Sequence, residues 1–131
     1  MNPVIHFEMP YDDQARMSAF YERAFGWETQ ALGGEMGNYV LATTTETENG
    51  RPKKPGTING GFFPKKADGP AQHPSVVIGV DSINGSIEKV KRAGGTVLGE
   101  PMAIPGVGMY VSFLDTEGNR VSMLQPVTPT K

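Results

Sequence analysis

The sequence predicts an α+β fold of two β-α-β-β-β modules in tandem, whose strands form a cupped mixed sheet, or half-barrel. Three observations predict it. "HFEMPYD" at 6–12 matches "SVVIGVD" at 75–81, which sets His6 opposite Ser75 and Asp12 opposite Asp81. Each match is followed by apolar residues at helical spacing: Met17, Phe20, Tyr21 and Ala24 in the first half, Ile83, Ile87 and Val90 in the second. "GTINGGFFP" at 56–64 then lines up without gaps against "GNRVSMLQP" at 118–126, so each half ends on a strand. A ferredoxin-like β-α-β-β-α-β sandwich needs one strand fewer per half, and the matched last strands argue against it. The 131 residues form one domain, with a first module at about 3–64, a Pro- and Lys-rich linker at about 65–73 and a second module at about 74–126.

Each element has a local reason. In "VIHFEMPYDD" at 4–13, strand alternation puts Val4, His6 and Glu8 on one face and Ile5, Phe7 and Met9 on the other. The second set suits a core beneath the helix, so His6 and Glu8 face away from it. Asp12 or Asp13 caps the first helix and Gly26 ends it; Asp81 or Ser82 caps the second, which stops at Gly94–Gly95. Phe20, Tyr21, Phe25 and Trp27 read as core joining helix to sheet. "ETQALGG" and "GNYVLATT" supply the middle strands of the first module, and "TVLGEPMA" and "GMYVSFLD" those of the second. Tyr39 and Tyr110 occupy matched positions, and either can face either way. The polar stretch "TTTETENGRPKKPGT" at 43–57 is a solvated loop or a flap, and "IPGVGM" at 104–109 is a stiff lip.

The last strands complete the inward-facing set. By the gap-free alignment Gly60 corresponds to Ser122. Alternation then turns Gly60 and Phe62 toward the hollow and Phe63 toward the helix, and adds Ser75, Val77, Ser122 and Leu124 to the hollow. Glycines inside a strand mark close approach by a ligand or another group.

Composition excludes several function classes. A formal charge of −2 with no basic stripe disfavours nucleic acid. The absence of cysteine removes disulfides, thiolate catalysis and Cys-bound zinc, and fits a cytoplasmic location. No apolar run is long enough to cross a bilayer, and "MNPVIHFEMP" lacks the pattern of a signal peptide.

With the tandem pattern, "FYERAFGW", "RAGGTV" and "DTEGNRVSMLQP", the chain resembles the vicinal oxygen chelate superfamily, which includes glyoxalase I, bleomycin-resistance proteins and extradiol dioxygenases. The resemblance covers roughly residues 3 to 126. It implies a glyoxalase-like half-barrel completed in a homodimer, and a divalent metal held from the first and last strands of each module. At those four positions this chain has His6, Gly60, Ser75 and Ser122, so His6 is the one ligand of the family pattern retained. A divalent cation needs about three N, O or S ligands. Glu8 adds one oxygen, and His73 sits at the edge of the linker. The expectation is therefore no resident cofactor, with a divalent metal as the minority reading.

The function this implies is binding of a small organic molecule by His6, Glu8, Gly60, Phe62, Ser75, Val77, Ser122 and Leu124, a mix of apolar walls and few polar groups typical of ligand pockets. The alternatives are a metal-dependent lyase, isomerase or dioxygenase, and a dimeric scaffold without a ligand. If a reaction occurs, His6 and Glu8 are the candidates for its base. A carboxylate beside the imidazole would raise the His6 pKa. No nucleic-acid or membrane partner is expected.

Overall fold

The computed structural model describes residues 1–69 and 71–127. These residues are α+β and fall into two compact units, His6–Pro74 and Met1–Ile5 with the segment from Ser75 onward. Val4 and Ile5, the start of the first strand, thus cluster with the second module. Each unit has the β-α-β-β-β order that the internal repeat predicts.

In the unit His6–Pro74 the elements are β1 (Val4–Tyr11, from His6 onward), α1 (Gln14–Phe25), β2 (Glu28–Ala31), β3 (Val40–Thr43), a short hairpin of β4 (Thr47–Glu48) and β5 (Arg51–Pro52), and β6 (Asn59–Pro64). The sheet runs β2-β3-β6-β1. β1 and β6 are parallel, and the other two pairs are antiparallel. Helix α1 starts because the Asp13 carboxylate accepts a hydrogen bond from the Arg16 amide, 2.9 Å away. It stops because Gly26 adopts the left-handed conformation (φ 73°) and donates back to the Glu22 carbonyl.

The core of this unit is Val40, Ala42 and Phe62, covered by Phe7, Met9, Tyr11, Met17, Tyr21 and Trp27. Trp27 stacks on Tyr21 with ring centroids 4.6 Å apart. Phe20 and Phe25, expected in this core, flank the apolar stripe of α1 instead and are 57% and 64% exposed. The polar stretch 43–57 folds as the β4–β5 hairpin around Asn49 and Gly50, both at positive φ. Asn59 ties it down: its Oδ1 accepts from the Thr44 amide and its Nδ2 donates to Thr47, both at 2.8 Å.

In the second unit the elements are β7 (Ser75–Gly79), α2 (Ile83–Arg92), β8 (Thr96–Ile104), β9 (Gly108–Leu114) and β10 (Arg120–Pro126). The sheet runs β7-β10-β9-β8, again with one parallel pair and two antiparallel ones. Ser82 caps α2, and the first-turn amide of Ile83 finds Gln125 Oε1 of β10 at 2.9 Å. The core is Val80, Ile83, Val111, Phe113 and Met123, with Ile78, Ile87, Val90, Val97, Met109 and Val121 packed against it. Pro3 extends this unit by accepting a hydrogen bond from the Gly79 amide.

Candidate functional site

In each unit one sheet face is covered by the helix, and polar side chains gather on the other. The first unit contributes His6 and Glu8. Glu8 is 2% exposed, and the Tyr39 hydroxyl donates to its Oε2 at 2.8 Å. The strand register explains how Tyr39 reaches it. Glu8 pairs with Gly61 across β1 and β6, and a Cβ at Gly61 would fall within the Tyr39 ring. The missing side chain at Gly61 lets the aromatic ring lie on the strand, so that its hydroxyl arrives at the carboxylate. His6 is partly buried, and that desolvation pushes its imidazole below its ordinary pKa. The direction is opposite to the rise expected from a neighbouring carboxylate.

Gly60 and Phe62 are placed differently from expectation. Phe62 lies in the helix-side core, 5.2 Å from the Tyr21 ring centroid. Gly60 faces the same way, and a Cβ there would strike the Phe7 carbonyl oxygen and ring. Phe63 is therefore on the helix-free side with Gly61, rather than beneath the helix. The gap-free alignment is one residue out of step. Because His6 matches Ser75, Glu8 matches Val77. Glu8 pairs with Gly61, whereas Val77 pairs with Ser122. Gly61, not Gly60, is the counterpart of Ser122, and a one-residue slip exchanges the two faces. Both glycines serve close packing of Phe7 and Tyr39.

The second unit places Ser75, Val77, Ser122 and Leu124 on the helix-free face, as alternation predicts from the helix-side positions of Ile78, Val80 and Met123. Ser122 is completely buried. Its hydroxyl lies 2.7 Å from the Tyr110 hydroxyl and 2.9 Å from that of Ser112. Arg120 Nη2 donates to the Tyr110 hydroxyl at 3.4 Å. The sequence left Tyr110 undecided and did not single out Ser112 or Arg120. The signal was present in "GMYVSFL", since assigning Val111 and Phe113 to the core turns Tyr110 and Ser112 toward Ser122. The β9–β10 turn fixes that register. The Asp115 carboxylate accepts from the Asn119 side chain and from the amides of Asn119 and Glu117. Those hydrogen bonds, that of the Asn119 side chain foremost, hold its pKa below the ordinary carboxylate value. Ser75 Oγ is buried and has no hydrogen-bond partner among the described residues.

Taken unit by unit, these donors do not fit a divalent metal. Gly61 has no side chain, the Ser122 hydroxyl is engaged by two other hydroxyls, and the nearby Arg120 guanidinium is a permanent cation. Among the described residues no three His, Cys, Asp or Glu side chains come together as a metal-holding group. No helix among them is long and apolar enough to cross a membrane.

Comparison with known proteins adds the following. The sequence profile of the Glyoxalase/Bleomycin resistance protein/Dioxygenase superfamily matches residues 4–123. The chain is 32% identical over 116 residues to a glyoxylase-like domain-containing protein of Didymella fabae, covering 86% of this chain and 84% of that one. A Mycobacterium bovis protein carrying a glyoxylase name, CFP32, is 30% identical over 112 residues, and the chain spans 38% of its length. Among solved structures, a methylmalonyl-CoA epimerase in complex with methylmalonyl-CoA and NH4+ superposes with a TM-score of 0.70 at 16% identity, over 98% of this chain and 96% of that one. A Streptomyces coelicolor methylmalonyl-CoA epimerase in complex with 2-nitronate-propionyl-CoA gives 0.69 at 16% identity, over 95% and 97%. At these identities the likeness to the epimerases is one of fold.

Proposed function

The chain belongs to the Glyoxalase/Bleomycin resistance protein/Dioxygenase superfamily, and from that premise we propose that it binds a small organic molecule on its helix-free sheet faces without a resident divalent metal. One observation carries this reading: hydroxyl groups bonded to one another stand at Ser122, where the family pattern would place a metal ligand. Hydroxyls and a guanidinium recognise polar atoms of an organic ligand, and they hold a dication poorly. Val77 and Leu124, both buried, are the apolar neighbours of Ser122 on that face. The proposed binder acts as a homodimer in the cytoplasm, a reading supported by the family resemblance and by the absence of cysteine.

Isothermal titration against a panel of planar and amphiphilic compounds tests the binding. Elemental analysis of the purified protein, before and after incubation with nickel, zinc or iron, tests the metal. Saturable binding by at least one compound, with no stoichiometric metal, is the expected result. A tightly bound metal at one equivalent would overturn the proposal in favour of a metal-dependent lyase, isomerase or dioxygenase.

A second reading, metal-free catalysis, is favoured by His6. Burial favours its neutral form, the form able to accept a proton. Turnover that is abolished by His6→Gln and insensitive to chelators would establish it.

A further inference from the structure

The set of groups around Ser122 has the chemistry of an anion site rather than a cation site. Arg120 can only donate, and its Nη2 donates to the Tyr110 oxygen at 3.4 Å. That donation polarises Tyr110 and favours directing its own proton to Ser122 Oγ at 2.7 Å. Ser122 in turn can donate to Ser112 Oγ at 2.9 Å. The chain of donors runs outward from the guanidinium. The remaining proton, that of Ser112, has only a long contact of 3.5 Å back to Tyr110. Ser122 is sealed, whereas Tyr110, Ser112 and Arg120 are only partly buried.

Ser75 is the second observation. β7 and β10 are parallel, with Val77 beside Ser122. Continuing that register by two residues sets Ser75 beside Arg120 on the same face. Its hydroxyl is buried without a partner. A buried hydroxyl left unmatched costs stability unless something accepts from it. An acceptor bearing negative charge would satisfy Ser75 and meet the Arg120 guanidinium beside it.

We propose that Ser75 and the Arg120 guanidinium beside it, held in place by the linked hydroxyls of Tyr110, Ser122 and Ser112, bind the carboxylate of a small organic acid at the place where the family pattern puts metal ligands. This rests on the small-molecule reading above and specifies its ligand class. The carboxylate oxygens accept from the Ser75 hydroxyl and the guanidinium directly, and no metal ion bridges them. No bond is made or broken.

The test compares oxalate, malonate and propionate with their neutral amides by titration and by 1H–15N shift mapping at constant ionic strength. The carboxylates are expected to bind with shifts centred on β7, β9 and β10, and the amides at least about fivefold more weakly, the scale of one hydrogen bond. Ser75→Ala removes a hydroxyl that has no hydrogen-bond partner among the described residues. It should leave the unfolding midpoint unchanged or higher and weaken carboxylate binding about fivefold. Arg120→Lys, which keeps the charge but not the forked donors, provides a second, independent loss.

Carboxylates that bind no better than amides, or equally to wild type and Ser75→Ala, overturn the proposal. If neutral planar or amphiphilic compounds bind in that case, the small-molecule reading stands without it. If no compound of either panel binds, both fall.

Discussion

A methyl group added at Gly61 meets the Tyr39 ring, and one added at Gly60 meets the Phe7 carbonyl. The two substitutions therefore separate two roles of adjacent glycines. Gly61→Ala can be accommodated only by moving the Tyr39 ring, which withdraws its hydroxyl from Glu8. Gly60→Ala meets backbone, which cannot move aside. We expect Gly61→Ala to destabilise the fold by about 1–3 kcal/mol through overpacking, and Gly60→Ala to cost at least as much. Urea unfolding gives both values. Tyr39→Phe keeps the ring and removes only the donor to the Glu8 carboxylate, at a cost of about 1–2 kcal/mol. A Gly61→Ala protein as stable as wild type would show that the Tyr39 ring does not rest on that strand.

At the level of elements, β6 shows what the sequence could and could not reveal. The β-α-β-β-β order, the caps at Asp13 and Ser82 and the core face of β1 were legible, because each follows from spacing over several residues. So was the placement of Ser75, Val77, Ser122 and Leu124 on one face, because it follows by strand alternation from the matched positions Ser75 and Ser122. The strand β6 does not alternate. "NGGFF" offers two glycines and then two aromatics, so hydropathy assigns neither face. Matching its ends to those of β10 left the register one residue out. The β4–β5 hairpin was carried by Asn49–Gly50, a strong hairpin signal hidden in a stretch otherwise read as loop. The face of Tyr39 stayed undecided and Arg120 went unremarked, because their roles depend on side chains on neighbouring strands. The corrected register has a measurable consequence. Phe62, 1% exposed in the helix-side core, should cost about 3–5 kcal/mol on truncation to alanine, as a buried phenylalanine does. A loss below about 1 kcal/mol in chemical denaturation would return Phe62 to a pocket wall.

For the whole molecule, His6 links the polar face to stability. Burial lowers its pKa in the folded protein below the ordinary value, while in the unfolded chain it titrates near about 6.5. Between the folded pKa and about 6.5 the unfolded chain therefore holds more protons than the native state. Stability rises with pH wherever the unfolded state binds more protons. The contribution of His6 is thus fully present above about pH 6.5. It falls as the solution is acidified through that window and levels off below the folded pKa. The difference between the two proteins isolates this contribution. Urea unfolding of wild type and His6→Gln from about pH 5 to 7.5, spanning the ordinary histidine range, should give a wild-type curve that climbs more steeply. The two should run parallel above the window. A wild-type protein that instead gains stability relative to His6→Gln on acidification would mean that the imidazole is charged in the fold. The neutral base assigned to that strand would then have to be abandoned.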